Sequence, residues 1–429
     1  MLSKLFTYPR ALVQTFMFTK GFPYNDLIYE KYQLKKLRKI LIFSYKNFPF
    51  YKERMDSVGF NPYTFKSITE FKKIPVLTKP EYKKFVEDII KQNPDKYSSY
   101  YKDGTSGSTG QPLKVLRTWE ERSYMITKWL TAMRVNGYSF FHRTFSLPSP
   151  HRIVKRDSWV QGLGFGRRYT VSYTDTVENM IKGYIKAKPD FFYANKSQIL
   201  LMAQEVLKRR LKIKSPKYYA VTSETLDENS KRIIQSVFGR DNMFEVYGAV
   251  ELGGVLAIQV KGKEGLFFYH HTNFLELNNM GVVNAESGNC IITDYYIKSF
   301  PLIRYRLGDW IELCMSENKT FPKIKKIRGR EDDWVLLPDG SKIPFHPFYE
   351  IMEKRNEVIQ FRIIQNSISE ISVQIVLKNR VKQTDFKNQL IEELRSQISN
   401  EILFNVEFVE QILPDPNGKL RMIVSRIKM

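Results

Sequence analysis

Apolar residues at intervals of three and four predict a helix over residues 26–46, where Leu34, Leu37, Leu41 and Tyr45 share one face and Lys35, Lys36 and Arg38 lie elsewhere around it. A second amphipathic helix carries Met125, Trp129, Ala132 and Met133 and closes at Asn136-Gly137, a helix-ending pair. From Asp190 the period alternates. Strand 190–194, helix 197–210, strand 217–223, helix 227–238 and strand 243–247 make a βαβαβ unit. Short β-rich runs joined by ten-residue helices imply a parallel sheet, whose ligands bind beyond the carboxyl ends of its strands. Two such ends stand out, Thr222-Ser223-Glu224-Thr225 and Tyr247-Gly248.

Past Arg330 the pattern changes to strands near 359–366 and 370–377, a helix near 384–398 and a last strand near 405–412. The charged run Gly329-Arg330-Glu331-Asp332-Asp333 suits an exposed connection. The expected fold class is therefore α/β: a large multi-subdomain N-terminal domain with mixed or parallel sheets over residues 1–330, followed by a small α+β domain over 331–429. Neither an internal repeat nor a low-complexity linker interrupts this order.

A chain of 429 residues with 42% hydrophobic and 26% charged residues is globular and long enough for more than one core. Lys4, Arg10 and Lys20 break the N-terminal apolar stretch below the roughly 18 residues of a spanning helix, so the expected location is cytoplasmic. Cys290 and Cys314 have neither a CxxC spacing nor neighbouring histidines, so two buried, reduced thiols are expected. The net charge of +23, from 68 Lys and Arg against 45 Asp and Glu, favours polyanions. These cations are spread along the chain without a nucleic-acid signature. That leaves a solvated surface, with peripheral contact to a membrane surface as the functional alternative and no specific nucleic-acid partner.

The loop Asp103-Gly-Thr-Ser-Gly-Ser-Thr-Gly-Gln-Pro112, between expected strands at 98–102 and 113–118, has the composition of a phosphate cradle. Gly104, Gly107 and Gly110 let the backbone approach an anion, while Thr105, Ser106, Ser108 and Thr109 supply hydroxyl and amide donors. The GxxxxGK[ST] spacing is absent, so this is not a P-loop. Gly162, Gly164 and Gly166 lack the spacing of a dinucleotide fingerprint.

Several ordered segments together resemble the adenylate-forming superfamily, and most of all its phenylacetate-coenzyme A ligase and capsule-biosynthesis branch. TSGSTGQP at 105–112 is similar to that family's phosphate loop, VYGAVELGG at 246–254 to its YGxTE-type segment, and LIRYRLGDW at 302–310 to its YRTGD segment. IRGREDDWV at 327–335 resembles its hinge and PDPNGKLRM at 414–422 its C-terminal lysine motif. The resemblance implies ATP-dependent activation of a small carboxylic acid to an acyl-adenylate with release of pyrophosphate. Acyl transfer to a thiol, normally coenzyme A, would follow, with residues 331–429 as a mobile lid.

By the same resemblance Thr105, Ser106, Gly107, Ser108, Thr109 and Gly110 bind the ATP phosphates, and Glu251 holds Mg²⁺. Ser223, Glu224, Thr225, Tyr247, Gly248, Asp309 and Arg330 would surround adenine and ribose; Asp332 would be the hinge and Lys419 the catalytic cation. Two features depart from the family. Val250 stands where Thr or Ser is usual, and LLPDGSKIPFHPF at 336–348 lacks the glycine-rich stretch that contacts the acceptor thiol. The first gives weight to a non-catalytic nucleotide-binding protein, the second to transfer onto a sugar or amine. Tyr138, Phe140, Phe141 and Phe145 are candidates for the acid pocket or for the core.

Overall fold

The computed structural model describes all residues except 1–6, 21–28, 105–112, 151–152, 154–158, 279–285, 315–322, 331–333, 379–380, 416–419 and 428–429. The chain divides into two compact units, each made from two separate stretches. One unit comprises Met1–Gly137 with Val246–Ile327, the other Tyr138–Glu245 with Arg328–Met429.

In the first unit, Asn273–Asn278 pairs antiparallel with Ser287–Asp294, which pairs antiparallel with Tyr305–Leu313. Gly254–Gln259 lies antiparallel to Leu266–Phe268. The helix over Tyr29–Asn47 packs Leu37, Ile40 and Leu41 fully out of solvent, with Leu34 and Tyr45 half-buried beside them, which is the face the spacing predicts. Tyr51, Tyr82, Phe85, Phe300 and Tyr305 fill the same core with edge-to-face and tilted ring pairs 5.4–6.3 Å apart.

The helix Trp119–Val135 starts at a reciprocal cap: Thr118 Oγ1 accepts from the Glu121 amide at 3.1 Å, and Glu121 Oε2 accepts from the Thr118 amide at 2.9 Å. The other oxygen of Glu121 accepts from the amides of Lys298 and Ser299 at 2.7 and 2.8 Å. One carboxylate thus closes a helix and anchors a loop 177 residues later in the chain.

In the second unit, Arg168–Thr170, Thr144–Ser146, Phe191–Asn195 and Tyr218–Thr222 form a parallel sheet in that spatial order. Helices Val177–Ala187, Lys196–Lys208 and Glu228–Phe238 pack on it through Tyr184, Ile199, Met202, Ile234 and Phe238. Strand and helix bounds match the expected βαβαβ segment within two residues at each end.

A four-stranded sheet follows, in which Leu403–Phe408 and Glu370–Leu377 are parallel, Glu370–Leu377 and Val358–Ser367 antiparallel, and Val358–Ser367 and Ile423–Ser425 parallel. Helices His346–Glu353 and Gln383–Gln397 cover it, with Phe348, Ile351, Leu390 and Leu394 fully buried. Within this unit the Asn229 amide donates to the Arg355 carbonyl at 3.1 Å and Arg232 to Asn356 at 2.8 Å.

Two expectations need adjustment. Cys290 is buried as expected, whereas Cys314 is only half-buried. Phe145 and Tyr138 are core residues, Phe140 is half-buried, and Phe141 is 65% exposed, so it is not a core residue. No helix among the described residues is long and apolar enough to cross a membrane.

Candidate active site

The strand Met243–Ala249 ends in a tight return that starts the strand Gly254–Gln259. The return works only because Gly248 has no side chain: a Cβ there would lie 2.3 Å from the Gly254 carbonyl oxygen and 3.2 Å from Val255 Cα. Gly253 and Gly254 follow at φ +77° and +87°, in the left-handed region. Leu252 N donates to Ala249 O and Gly253 N to Val250 O, both at 3.2 Å. This leaves Glu251 at the turn, 8% exposed.

Tyr247, on the same strand end, donates its hydroxyl to Asp309 Oδ2 at 2.7 Å, and both side chains are buried. Asp309 follows Gly308, whose φ of +84° turns the segment within Tyr305–Leu313. Burial pushes the neighbouring Cys290 thiol well up, and the Asp309 carboxylate adds to that push, so this cysteine stays protonated and inert. The segment is locked upstream by Arg304, itself left-handed at φ +49°. Its guanidinium grips Glu276 with two bonds of 3.0 and 3.1 Å and donates to the Lys72 and Ile74 carbonyls.

In the second unit, the strand Tyr218–Thr222 gives way to Ser223, strained at φ +73°. Glu224 then accepts from Ser197 Oγ at 2.8 Å, from the Ser197 amide at 3.4 Å and from the Leu420 amide at 3.3 Å. Burial raises the Glu224 carboxyl pKa, against a pull downwards from Lys196. Thr225 is half-buried. Asp227 caps the next helix through the Ser230 amide at 2.7 Å and pairs with buried Lys196 at 3.3 Å. Arg330, half-buried, ends the strand Ile324–Arg330.

The structure thus joins Tyr247 with Asp309, sets Gly248 and Glu251 on one return, and gathers Glu224 with Leu420 of the lysine motif. Thr105, Ser106, Gly107, Ser108, Thr109, Gly110, Asp332 and Lys419 lie outside the described residues. The hairpin Tyr101–Gly104 with Lys114–Arg117 brackets the glycine-rich loop.

No cluster of three metal-ligating side chains occurs among the described residues. Mg²⁺ does not require one, because it is commonly held by one or two carboxylates with phosphate oxygens and water. Glu251, an 8% exposed carboxylate on a fixed return, fits that donor set. Sequence reasoning missed Arg117 and Lys128, which lie fully or almost fully buried against this return. Their one sequence signal is a cation inside an otherwise apolar stretch, Val115-Leu116-Arg117 and Ile126-Thr127-Lys128-Trp129-Leu130.

Residues 335–426 match the model of the CapK C-terminal domain. Over 428 residues the chain is 25% identical to Protein CapK from Staphylococcus aureus, covering 94% of this chain and 90% of that protein. It is 22% identical to phenylacetate-coenzyme A ligase from Pseudomonas putida, covering 87% and 88%. Among solved structures, a 2-hydroxyisobutyryl-CoA ligase in its postadenylation state, in complex with 2-HIB-AMP, superposes with a TM-score of 0.72. That match has 16% identity and covers 92% of this chain and 89% of that one.

Proposed function

We propose that this chain is an adenylate-forming ligase, like the proteins it is similar to, and that it activates a small carboxylic acid with ATP and passes the acyl group to a thiol, coenzyme A. The observation that carries this reading is the strand return whose Tyr247 pairs with Asp309 and whose turn seats Glu251 four residues after Tyr247.

In the first half-reaction a carboxylate oxygen attacks the α-phosphorus, the bond to the β-phosphate oxygen breaks, and pyrophosphate leaves. Negative charge concentrates at phosphorus in the transition state, so donors and cations aimed there lower the barrier. Thr105, Ser106, Gly107, Ser108, Thr109 and Gly110 would cradle the phosphates, and Lys419 would bring an ammonium to the bridging oxygen. Tyr247 would offer a flat apolar surface to adenine, and the resemblance assigns Ser223, Glu224 and Thr225 to nucleotide binding as well. Asp309, its direction fixed by the Tyr247 hydroxyl, would accept from the ribose hydroxyls; Arg330 is assigned to the nucleotide by the resemblance alone. Glu251 and phosphate oxygens would hold Mg²⁺, which supplies neutralising charge when bound.

In the second half-reaction the lid, residues 331–429, turns about Asp332 and withdraws Lys419. A thiolate then attacks the acyl carbon and AMP departs with its carboxylate-bridging oxygen. A cytoplasmic location, where ATP and coenzyme A are held, accords with this chemistry. The 336–348 segment without a glycine-rich stretch, inside a region matched by the CapK C-terminal domain, favours a second reading in which the acceptor is a sugar or amine.

The test is pyrophosphate release from MgATP against a panel of carboxylic acids, with and without coenzyme A, for the wild type and Lys419→Ala. Acid-dependent release that collapses in the variant supports adenylation, and thioester product separates the two acceptors. No release with any acid would favour a non-catalytic nucleotide-binding protein.

A further inference from the structure

Two buried cations face the return that carries Glu251. Arg117 is fully buried; its guanidinium donates to the Glu251 carbonyl and lies 3.5 Å from the Val250 carbonyl. Lys128, 1% exposed, donates from Nζ to the Leu252 carbonyl at 3.0 Å and to Asn273 Oδ1 at 3.2 Å. Three consecutive carbonyls, 250 to 252, are therefore held by two side chains from different elements: the strand Lys114–Arg117 and the helix Trp119–Val135.

Burying a cation is costly unless its surroundings are built to receive it. Here they are. Asn273 Nδ2 donates to Asp294 Oδ2 at 3.0 Å, and the other oxygen of Asp294 accepts from the Tyr296 and Ile297 amides at 2.7 and 2.8 Å. Among the described residues, the charged and titratable groups that act on Lys128 or Arg117 include Asp294, His271, Tyr82 and Tyr124, together with each other. Burial draws Lys128 down to about 8, and Arg117 adds to the pull while Asp294 opposes it.

A hydrophobic pair would fill this volume at less cost. What cations add is direction, since each fixes where a peptide carbonyl points in a segment whose Gly253 and Gly254 are both left-handed. Gly253 also packs against the clamp: a Cβ there would lie 3.7 Å from Lys128 Nζ.

We propose that Arg117 and Lys128 are positioning residues that clamp the Val250–Gly253 return and thereby present the Glu251 carboxylate to Mg²⁺ and ATP. This rests on the adenylation reading for its catalytic consequence, while the clamp itself is testable without it. Neither cation touches the reacting atoms; each acts through the backbone beside Glu251.

The experiment compares wild type, Lys128→Met, Lys128→Gln and Val86→Ala, the last a cavity in the same core on a different element, the helix Lys79–Gln92. Amide hydrogen exchange of residues 246–256 and the Mg²⁺ concentration for half-maximal pyrophosphate release are read in each. Lys128→Met should speed exchange at 250–254 at least tenfold and raise the Mg²⁺ requirement at least tenfold. Lys128→Gln, which keeps an N–H donor for the Leu252 carbonyl, should recover much of the protection.

Val86→Ala should lower Tm and leave both readouts near wild type. The proposal is overturned if Lys128→Met changes Tm alone, or if Lys128→Gln behaves like Lys128→Met in exchange. Should Lys128→Met fail to fold, Arg117→Lys is held to the same expectations. If the wild type releases no pyrophosphate with any acid, the adenylation reading fails, and the exchange comparison still decides the clamp.

Discussion

Gly248→Ala is the sharpest test of the strand return. The new methyl would meet the Gly254 carbonyl oxygen at 2.3 Å and its carbon at 2.9 Å, whereas a tolerable carbon–oxygen contact is about 3.3 Å. One strand end must therefore move by about 1 Å, and both are backbone, so no rotamer change relieves it. Overpacking of this kind costs about 1–3 kcal/mol in stability. The catalytic effect should be larger, because a displacement of about 1 Å at a reacting geometry costs on the order of 100-fold, and Tyr247 and Glu251 flank the moved residue.

Gly254→Ala provides the control. Its φ of +87° disfavours alanine by about 1–2 kcal/mol, yet a Cβ there meets nothing within 4 Å. Chemical denaturation and acid-dependent pyrophosphate release should give similar stability losses for both variants and a far larger activity loss for Gly248→Ala. Gly248→Ala within twofold of wild-type kcat/KM would refute the reasoning.

Tyr247→Phe removes the donor to buried Asp309, so stability should fall by about 1–3 kcal/mol and KM for ATP should rise, as read by denaturation and steady-state kinetics; unchanged KM would detach this pair from nucleotide binding. The raised carboxyl of Glu224 means that the folded state holds its proton more tightly than the unfolded chain. This contribution to stability is full below the ordinary value of 4.5 and is lost as pH rises through the folded value. Glu224→Gln should flatten that limb of the Tm–pH curve, and an unaltered curve would contradict the assignment. Ser223→Gly relieves a left-handed serine and should leave stability equal or higher by up to about 1 kcal/mol in a denaturant titration; a clear loss of stability would contradict the strain at this position.

The parts of the fold written in local periodicity were legible. Leu37 and Leu41 mark the buried face of Tyr29–Asn47, and the alternation from Asp190 to Tyr247 gives each strand and helix. What escaped depends on distant partners. Ile423–Ser425 is three residues long and becomes a strand only beside Ile363–Gln365, so its own sequence carries no alternation to read. Leu403–Phe408 stops short of the expected 412 and has a partner only as far as Ile375.

The grouping of 138–245 with 328–429 rests on contacts such as Asn229 to Arg355 that no local pattern encodes. At the site, Tyr247 and Asp309 were found by motif, and their hydrogen bond across 62 residues came from the structure alone. Arg117 and Lys128 were hidden among 68 basic residues, because a cation inside an apolar run reads the same whether it reaches solvent or a buried carbonyl.

The two units are interleaved along the chain, which crosses from one to the other after residues 137, 245 and 327. During synthesis the first unit lacks Val246–Ile327 until the whole of Tyr138–Glu245 has already emerged, and the second lacks its partner stretch until later still. Leu37 and Phe71 therefore wait, exposed, for Phe274 and Leu302, some two hundred residues behind them on the ribosome. The nascent chain should depend on chaperone protection more than its finished stability suggests. Splitting the gene at any single point before residue 327 leaves at least one unit without its complement.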